Sequence, residues 1–168
     1  RYPGYYLTGD SGYKDEDGYV FVMGRVDDVI NVAGHRLSTG EMEELIAGHP
    51  GVAECAVVGI ADELRGQVPI GLVVLKDGYA VDPHTLESEL VQIIRQQIGA
   101  FAYFRKSAMV ERLPKTRSGK ILRNVLRKIA DGEAYTIPAT IDEPSILDEI
   151  KSTMRKHQIG KGFQEAGD

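Results

Sequence analysis

Two apolar stretches rich in β-branched residues, 52–60 and 68–75, stand either side of the polar segment 61–67. Each has the length of a strand, and neither alternates apolar with polar, so both need cover on two faces. That requirement narrows the fold to a sheet with buried central strands and helices packed on it. Helices are available to do this. Ser38-Thr39-Gly40-Glu41 matches a capping box, with Ser38 placed to accept from the Glu41 amide and Glu41 to reach back. The helix it opens should run to about Gly48, where His49-Pro50-Gly51 stops it. Asp82 before Pro83 starts another, in which Leu86, Leu90, Ile93, Ile94 and Ile98 recur at helical spacing.

Further elements flank this centre. Residues 19–24 and 29–34 read as strands joined by a sharp connection through Arg25-Val26-Asp27-Asp28. Residues 107–110 suit a short strand, 113–119 a polar loop, and 121–130 an amphipathic helix with Ile121, Leu122, Val125, Leu126 and Ile129 inward. After Asp131-Gly132 an extended strap is expected through Thr140, then a last short helix over 145–157 and a disordered tail from Gly160. The class is α+β: a small mixed sheet of about three strands packed with helices, preceded by a β-hairpin. There is no internal repeat.

At 168 residues the chain suits one domain with its own core. No apolar run approaches the roughly 18 residues that a membrane span needs. The single cysteine, Cys55, excludes an intrachain disulfide and is expected as a buried free thiol, in keeping with a reducing compartment. Residue 1 is Arg and the opening Tyr2-Pro3-Gly4-Tyr5-Tyr6 has no leader character, so the chain is expected to be a fragment of a longer protein. Charge is unevenly spread. Residues 101–130 carry nine basic residues against Glu111 alone, while the rest of the chain has eleven basic and twenty-four acidic ones. Such a segment either faces an anion or lies solvated beside acidic neighbours.

Chemistry could sit at several points. In Leu113-Pro114-Lys115-Thr116-Arg117-Ser118-Gly119-Lys120, three cations and a glycine precede a helix, where amides and a lysine can meet a phosphate. It is not a P-loop, because Pro114 stands where that motif needs Gly and Ile121 where it needs Ser or Thr. An exposed, flexible basic loop is the alternative. Asp10, in Tyr6-Leu7-Thr8-Gly9-Asp10, stands at the expected end of a strand and is either a turn residue or a ligand for paired ribose hydroxyls. Gly34 is either a turn glycine or a place where a ligand passes the backbone. His35, His49, His84 and His157 have no metal spacing.

Three motifs in order carry a resemblance: Tyr6 to Asp10, then Gly24-Arg25-Val26-Asp27-Asp28-Val29-Ile30-Asn31-Val32-Ala33-Gly34-His35-Arg36-Leu37, then Leu113 to Lys120. From about residue 2 to about 150 the chain resembles the C-terminal part of the AMP-forming acyl-CoA synthetases, within the adenylate-forming enzymes. The middle motif is similar to the acetate/propionate branch. Ala33 departs from the Ser often found there in acetyl-CoA synthetases, and the strap 135–144 looks more like the propionate type. The resemblance implies the end of an N-terminal adenylating domain over 1–26, a mobile C-terminal lid over 27–143, and a C-terminal helix and tail over 144–168. It implies an enzyme that makes acyl-AMP and then acyl-CoA from a short-chain carboxylate, using ATP, CoA and Mg, with the fragment inactive alone. Its partner would be its own N-terminal adenylating domain, with a protein lysine acyltransferase and deacylase acting on Lys120, and neither nucleic acid nor membrane. The compartment implied is the cytoplasm, or alternatively the mitochondrial matrix.

By motif, Asp10 and Arg25 would meet the nucleotide ribose and Arg36 its phosphates. Asp27 would be the hinge, Gly34 would line the CoA tunnel, and Arg95 would meet the nucleotide end of CoA. Lys120 would be the adenylating lysine. Physical chemistry supports that last role independently. A carboxylate attacking an α-phosphate brings two anions together, and a placed ammonium stabilises the charge that develops. Thioester formation needs no cation there, so a lid could withdraw it between half-reactions. The rival from another class is a basic nucleic-acid-binding module, for which Phe101, Tyr103 and Phe104 would have to stack bases on an exposed face.

Overall fold

The computed structural model describes residues 3–161, the side chains of Met23 and Asp27 excepted. A hairpin comes first: β1 (Asp10–Lys14) pairs antiparallel with β2 (Val20–Arg25) in a sheet of its own. Tyr13 stacks on Phe21 at 4.9 Å, while Tyr19, Val20 and Val22 stand open. A short 3-10 turn, Val26–Asp28, leads to the main sheet. The expected strands 19–24 and 29–34 therefore exist but do not face each other. The first closes back on β1, and β3 (Val29–Val32) instead pairs with β4 (His35–Ser38).

The main sheet contains five strands where about three were expected: β7 corresponds to the short strand read at 107–110, while β4 is too short and polar to declare itself. Next come α1 (Thr39–Ala47), β5 (Val52–Asp62), β6 (Gly66–Leu75), α2 (Pro83–Gln97), β7 (Lys106–Met109), α3 (Arg123–Asp131) and α4 (Ile146–Lys156). β6 is the centre. It pairs along its length with β5, at Gly66 with β3, and through Ile70 to Val73 with the parallel β7. The segment read as a polar loop, 61–67, is mostly strand, and only 63–65 turn.

Alternation along β5 and β6 sends side chains into two cores. Val57 and Val73 join Met42, Ile46, Leu86, Leu90 and Ile94 of α1 and α2. Ala56, Val58, Ile60, Ile70 and Leu72 join Leu126, Ile129, Ile150 and Met154 of α3 and α4 on the other face. Burying one such aliphatic side chain is worth about 1.5–3 kcal/mol, so α4 is a structural part of this layer. Its neighbour Gly160, expected to begin a disordered tail, packs on Ala130: a Cβ there would fall 2.1 Å from the Ala130 carbonyl oxygen. The tail beyond, 162–168, lies outside the described residues.

Caps fall where the residues predict. Ser38 Oγ accepts from the Glu41 amide at 3.3 Å, and Asp82 accepts from the Thr85 amide at 3.0 Å. One expectation is altered. β5 was expected in the middle of the sheet, yet among the described residues no strand covers its outer edge. Side chains close that edge instead: Glu43 Oε1 accepts from Val57 N and Asp131 Oδ1 from Ala61 N, both at 2.8 Å. An edge strand can be buried when its free amides are met in this way.

Candidate functional site

The basic loop turns out to be tied down. Lys115 bridges to Ile121 in a short antiparallel pairing, Thr116 N donates to Lys120 O at 2.9 Å, and Leu122 N donates to Pro114 O at 2.9 Å. Thr116 Oγ1 accepts from the Lys120 amide at 3.1 Å. The strap grips the loop from outside, with Arg117 N donating to Thr140 O and Asp142 N to Lys115 O, each at 2.9 Å. The flexible loop expected at 113–119 is thus a closed bend, with Gly119 at φ +83 completing its turn.

Four of the nine cations of 101–130 are answered by carboxylate neighbours. Arg112 holds Glu143 and Glu149, Lys115 holds Glu54 at 2.6 Å, Arg123 holds Glu43, and Arg127 holds Asp131 and Glu133. Glu143 is drawn below the usual carboxylate range by its hydrogen bonds from Arg112 and Ser145. Lys120 differs. Its side chain is exposed on the bend, and among the described residues no carboxylate lies within ion-pair distance of its ammonium. The three aromatics named for a base-stacking module do not form one exposed face, although Phe101 is 47% exposed. Phe104 is 3% exposed, Tyr103 is covered by the Arg65 guanidinium at 3.6 Å, and Phe101 packs on His35 at 4.7 Å.

Two further groups of expected site residues lie at the two ends of β3. At its start, Asp10 and Arg25 pair across the hairpin, with Arg25 Nη1 3.9 Å from Asp10 Oδ1. Asp10 begins β1 and does not end a strand as expected; Gly9 turns before it at φ +79. Asp27 lies in the adjacent 3-10 turn, its side chain outside the described ones. At the far end, about 10 Å on at strand rise, Ala33 (φ +49) and Gly34 (φ +90) form the β3–β4 turn. Asn31 Oδ1 accepts from Gly34 N at 3.0 Å, and Ala33 N donates to Arg65 O at 2.8 Å. Nothing lies within 4 Å of where a Gly34 Cβ would point. Arg36, opposite Asn31 on β4, is exposed.

Arg95 is in the last turn of α2, exposed, and lines a shallow groove with Tyr103 and Arg105. Phe101, just beyond α2, reaches His35 beside Gly34, so Arg95 and the β3–β4 turn share one end of the sheet. Arg65 and Arg105 were not singled out from the residues, and Tyr103 only as an aromatic of the base-stacking rival. Their convergence depends on Tyr103 adopting φ +53, which a non-glycine residue rarely signals in advance. Cys55 is half-buried and donates to Glu43 O, and burial pushes its thiol up to about 11, so it is a poor nucleophile at neutral pH. Among the described residues no group of three or more His, Cys, Asp and Glu could hold a metal ion. Nor, among them, is any helix long and apolar enough to cross a membrane.

Comparison with known proteins gives the family. Residues 41–120 match the AMP-binding enzyme C-terminal domain. The chain is 53% identical to acyl-CoA synthetase short-chain family member B, mitochondrial, of Dictyostelium discoideum, over 95% of its own length and 23% of that protein. It is 54% identical to acetyl-coenzyme A synthetase 2 of Kluyveromyces lactis, over 94% of its length and 25% of that protein. Among solved structures, the acyl-CoA synthetase of Brucella canis superposes with a TM-score of 0.58 at 41% identity, covering 76% of this chain and 23% of that one. The chain belongs to the C-terminal domains of the adenylate-forming acyl-CoA synthetases, in their acetyl/short-chain family. It spans about a quarter of the length of the curated relatives it matches.

Proposed function

We propose that this domain is the lid of an ATP-dependent ligase that joins a short carboxylic acid to CoA through an acyl-adenylate, and that Lys120 serves the adenylation step. The observation that carries this reading is an exposed ammonium, with no carboxylate within ion-pair distance among the described residues, at the end of a tightly bonded bend. An unpaired ammonium costs nothing in lost partners when it enters a site between a carboxylate and an α-phosphate, and a rigid bend presents it with little ordering cost. The chain's own part in that step is to hold this charge on the path of the developing oxyanion. ATP, CoA and the acid would be bound with the N-terminal adenylating domain.

Asp10 and Arg25, side by side on the hairpin, are proposed to meet the ribose, with Arg36 nearer the phosphates. The division at 26/27 is supported by the hairpin having its own sheet, which makes the 3-10 turn around Asp27 the proposed hinge. The lid would then include α4, which shares its core. Gly34, with open space above it, is proposed to border the pantetheine path, and Arg95 to meet the nucleotide end of CoA. Accessibility also makes Lys120 the proposed target of an acyltransferase and deacylase, since acylation removes the charge. The compartment proposed is the cytoplasm; the alternative, the mitochondrial matrix, draws on the Dictyostelium relative being named mitochondrial.

The test is Lys120→Ala in the full-length enzyme. Pyrophosphate exchange should fall by at least about a hundredfold, the scale of losing one preorganised charge contact. Conversion of supplied acyl-AMP to acyl-CoA should persist. Equal loss in both halves removes the assignment.

A further inference from the structure

Arg123, the first residue of α3, follows Lys120 by three positions. A guanidinium there opposes the helix dipole, whose free amides favour negative charge. The N-cap Leu122 supplies no side-chain acceptor, and the first turn has no acidic residue. Compensation comes from α1. Glu43 receives Arg123 Nε at 2.9 Å and Nη2 at 2.6 Å, a two-point grip that leaves the side chains 15% and 27% exposed respectively. The same carboxylate is fixed from the strand side, because Oε1 also accepts the Val57 amide. Asp28, at the end of the turn between β2 and β3, adds to the field that favours the guanidinium. Arg123 also lines a small cleft with Val29 and Ile30 of β3.

A half-buried ion pair is weak evidence for stability, since desolvation offsets much of the attraction. α3 moreover has its own anchorage in Val125, Leu126, Ile129 and Ala130. The backbone bonds tie the bend to the strap, and Arg123 at its exit is the side chain that ties it to α1. We propose that Arg123, held by Glu43, is a positioning residue for Lys120: the clamp sets where the chain leaves the bend, and hence where the ammonium is presented. This rests on the adenylating role given to Lys120 above. Arginine suits the task because a planar fork fixes orientation, whereas an ammonium would make only a point contact.

The experiment uses the full-length enzyme with Arg123→Lys and Arg123→Gln, beside wild type and Lys120→Ala. Pyrophosphate exchange reports adenylation, and acyl-CoA release from supplied acyl-AMP reports the second half. For Arg123→Gln, kcat of exchange should fall about a hundredfold, the cost of misplacing a catalytic group by roughly 1 Å. Arg123→Lys should fall less, about tenfold, with KM for ATP and acid within about threefold of wild type in both variants. Thioester formation should stay within about threefold. Wild-type exchange in Arg123→Gln overturns the proposal. So does equal loss in both halves by both variants, which would mark the clamp as purely structural. A wild type that does not adenylate, or a Lys120→Ala variant that does, instead breaks the reading of Lys120 itself.

Discussion

Replacing Gly34 by Leu separates what a side chain does to this domain from what it does to a neighbouring thiol path. Gly34 sits at φ +90 in the β3–β4 turn. An L-residue held in the left-handed region costs about 1–2 kcal/mol. No heavy atom lies within 4 Å of the Cβ position, so packing adds nothing to that figure. For a domain of this size each kcal/mol lowers the melting temperature by about 2–4 °C, so a drop of about 2–8 °C is expected and the fold should survive at 25 °C. Against that small cost, a four-carbon side chain beside the proposed pantetheine path should reduce acyl-CoA formation from supplied acyl-AMP at least about a hundredfold, or about 2.7 kcal/mol at the barrier. Pyrophosphate exchange should continue. Gly34→Ala carries the same backbone strain with little bulk, so it should share the melting shift and lose much less thioester activity. If Gly34→Leu released acyl-CoA at the wild-type rate, or if Ala and Leu lost it equally, the placement of Gly34 on that path would be wrong.

Asp27→Pro fixes φ in the turn between hairpin and sheet, so it should arrest the lid in one orientation and spare only one half-reaction; turnover in both removes the hinge. Leu126→Ala, at a side chain with no exposure between α3 and the sheet, should cost about 2–5 kcal/mol in urea unfolding, and a loss under about 1 kcal/mol would contradict the packing described. His157 titrates below its ordinary value, first because it is partly buried and then because Lys156 stands beside it, with Lys106 and His84 acting the same way and Glu87 opposing. The stability it contributes should be fully present above its unfolded pKa of about 6.5 and be lost as pH falls through its lower folded value. Acid unfolding of His157→Gln, compared with wild type, should show a weaker dependence over that window, and identical slopes would refute the assignment.

What the sequence disclosed follows from how local each signal is. The capping residues Ser38 and Asp82 act on amides three positions away, so their helices could be read directly. The apolar runs of β5 and β6 report burial on two faces, and burial is what the structure finds. They do not report who pairs with whom. β5 reads as central because its side chains are central, while its free edge is closed by Glu43, fourteen positions before Val57, and by Asp131, seventy positions after Ala61. The bend at 113–120 reads as mobile for the same reason: its composition is that of a loop, and its rigidity comes from Thr140 and Asp142 in a strap with no periodicity of its own. The candidate site repeats the pattern. Lys120, Gly34 and Asp10 stand in motifs that can be picked out one at a time, but Arg65 meets Tyr103, and Glu43 meets Arg123, only through the fold. A motif carries the group that touches a substrate. The residues that aim such a group are chosen by the surfaces that meet there, so in a domain of this kind they are found by following each exposed cation back to whatever holds its backbone.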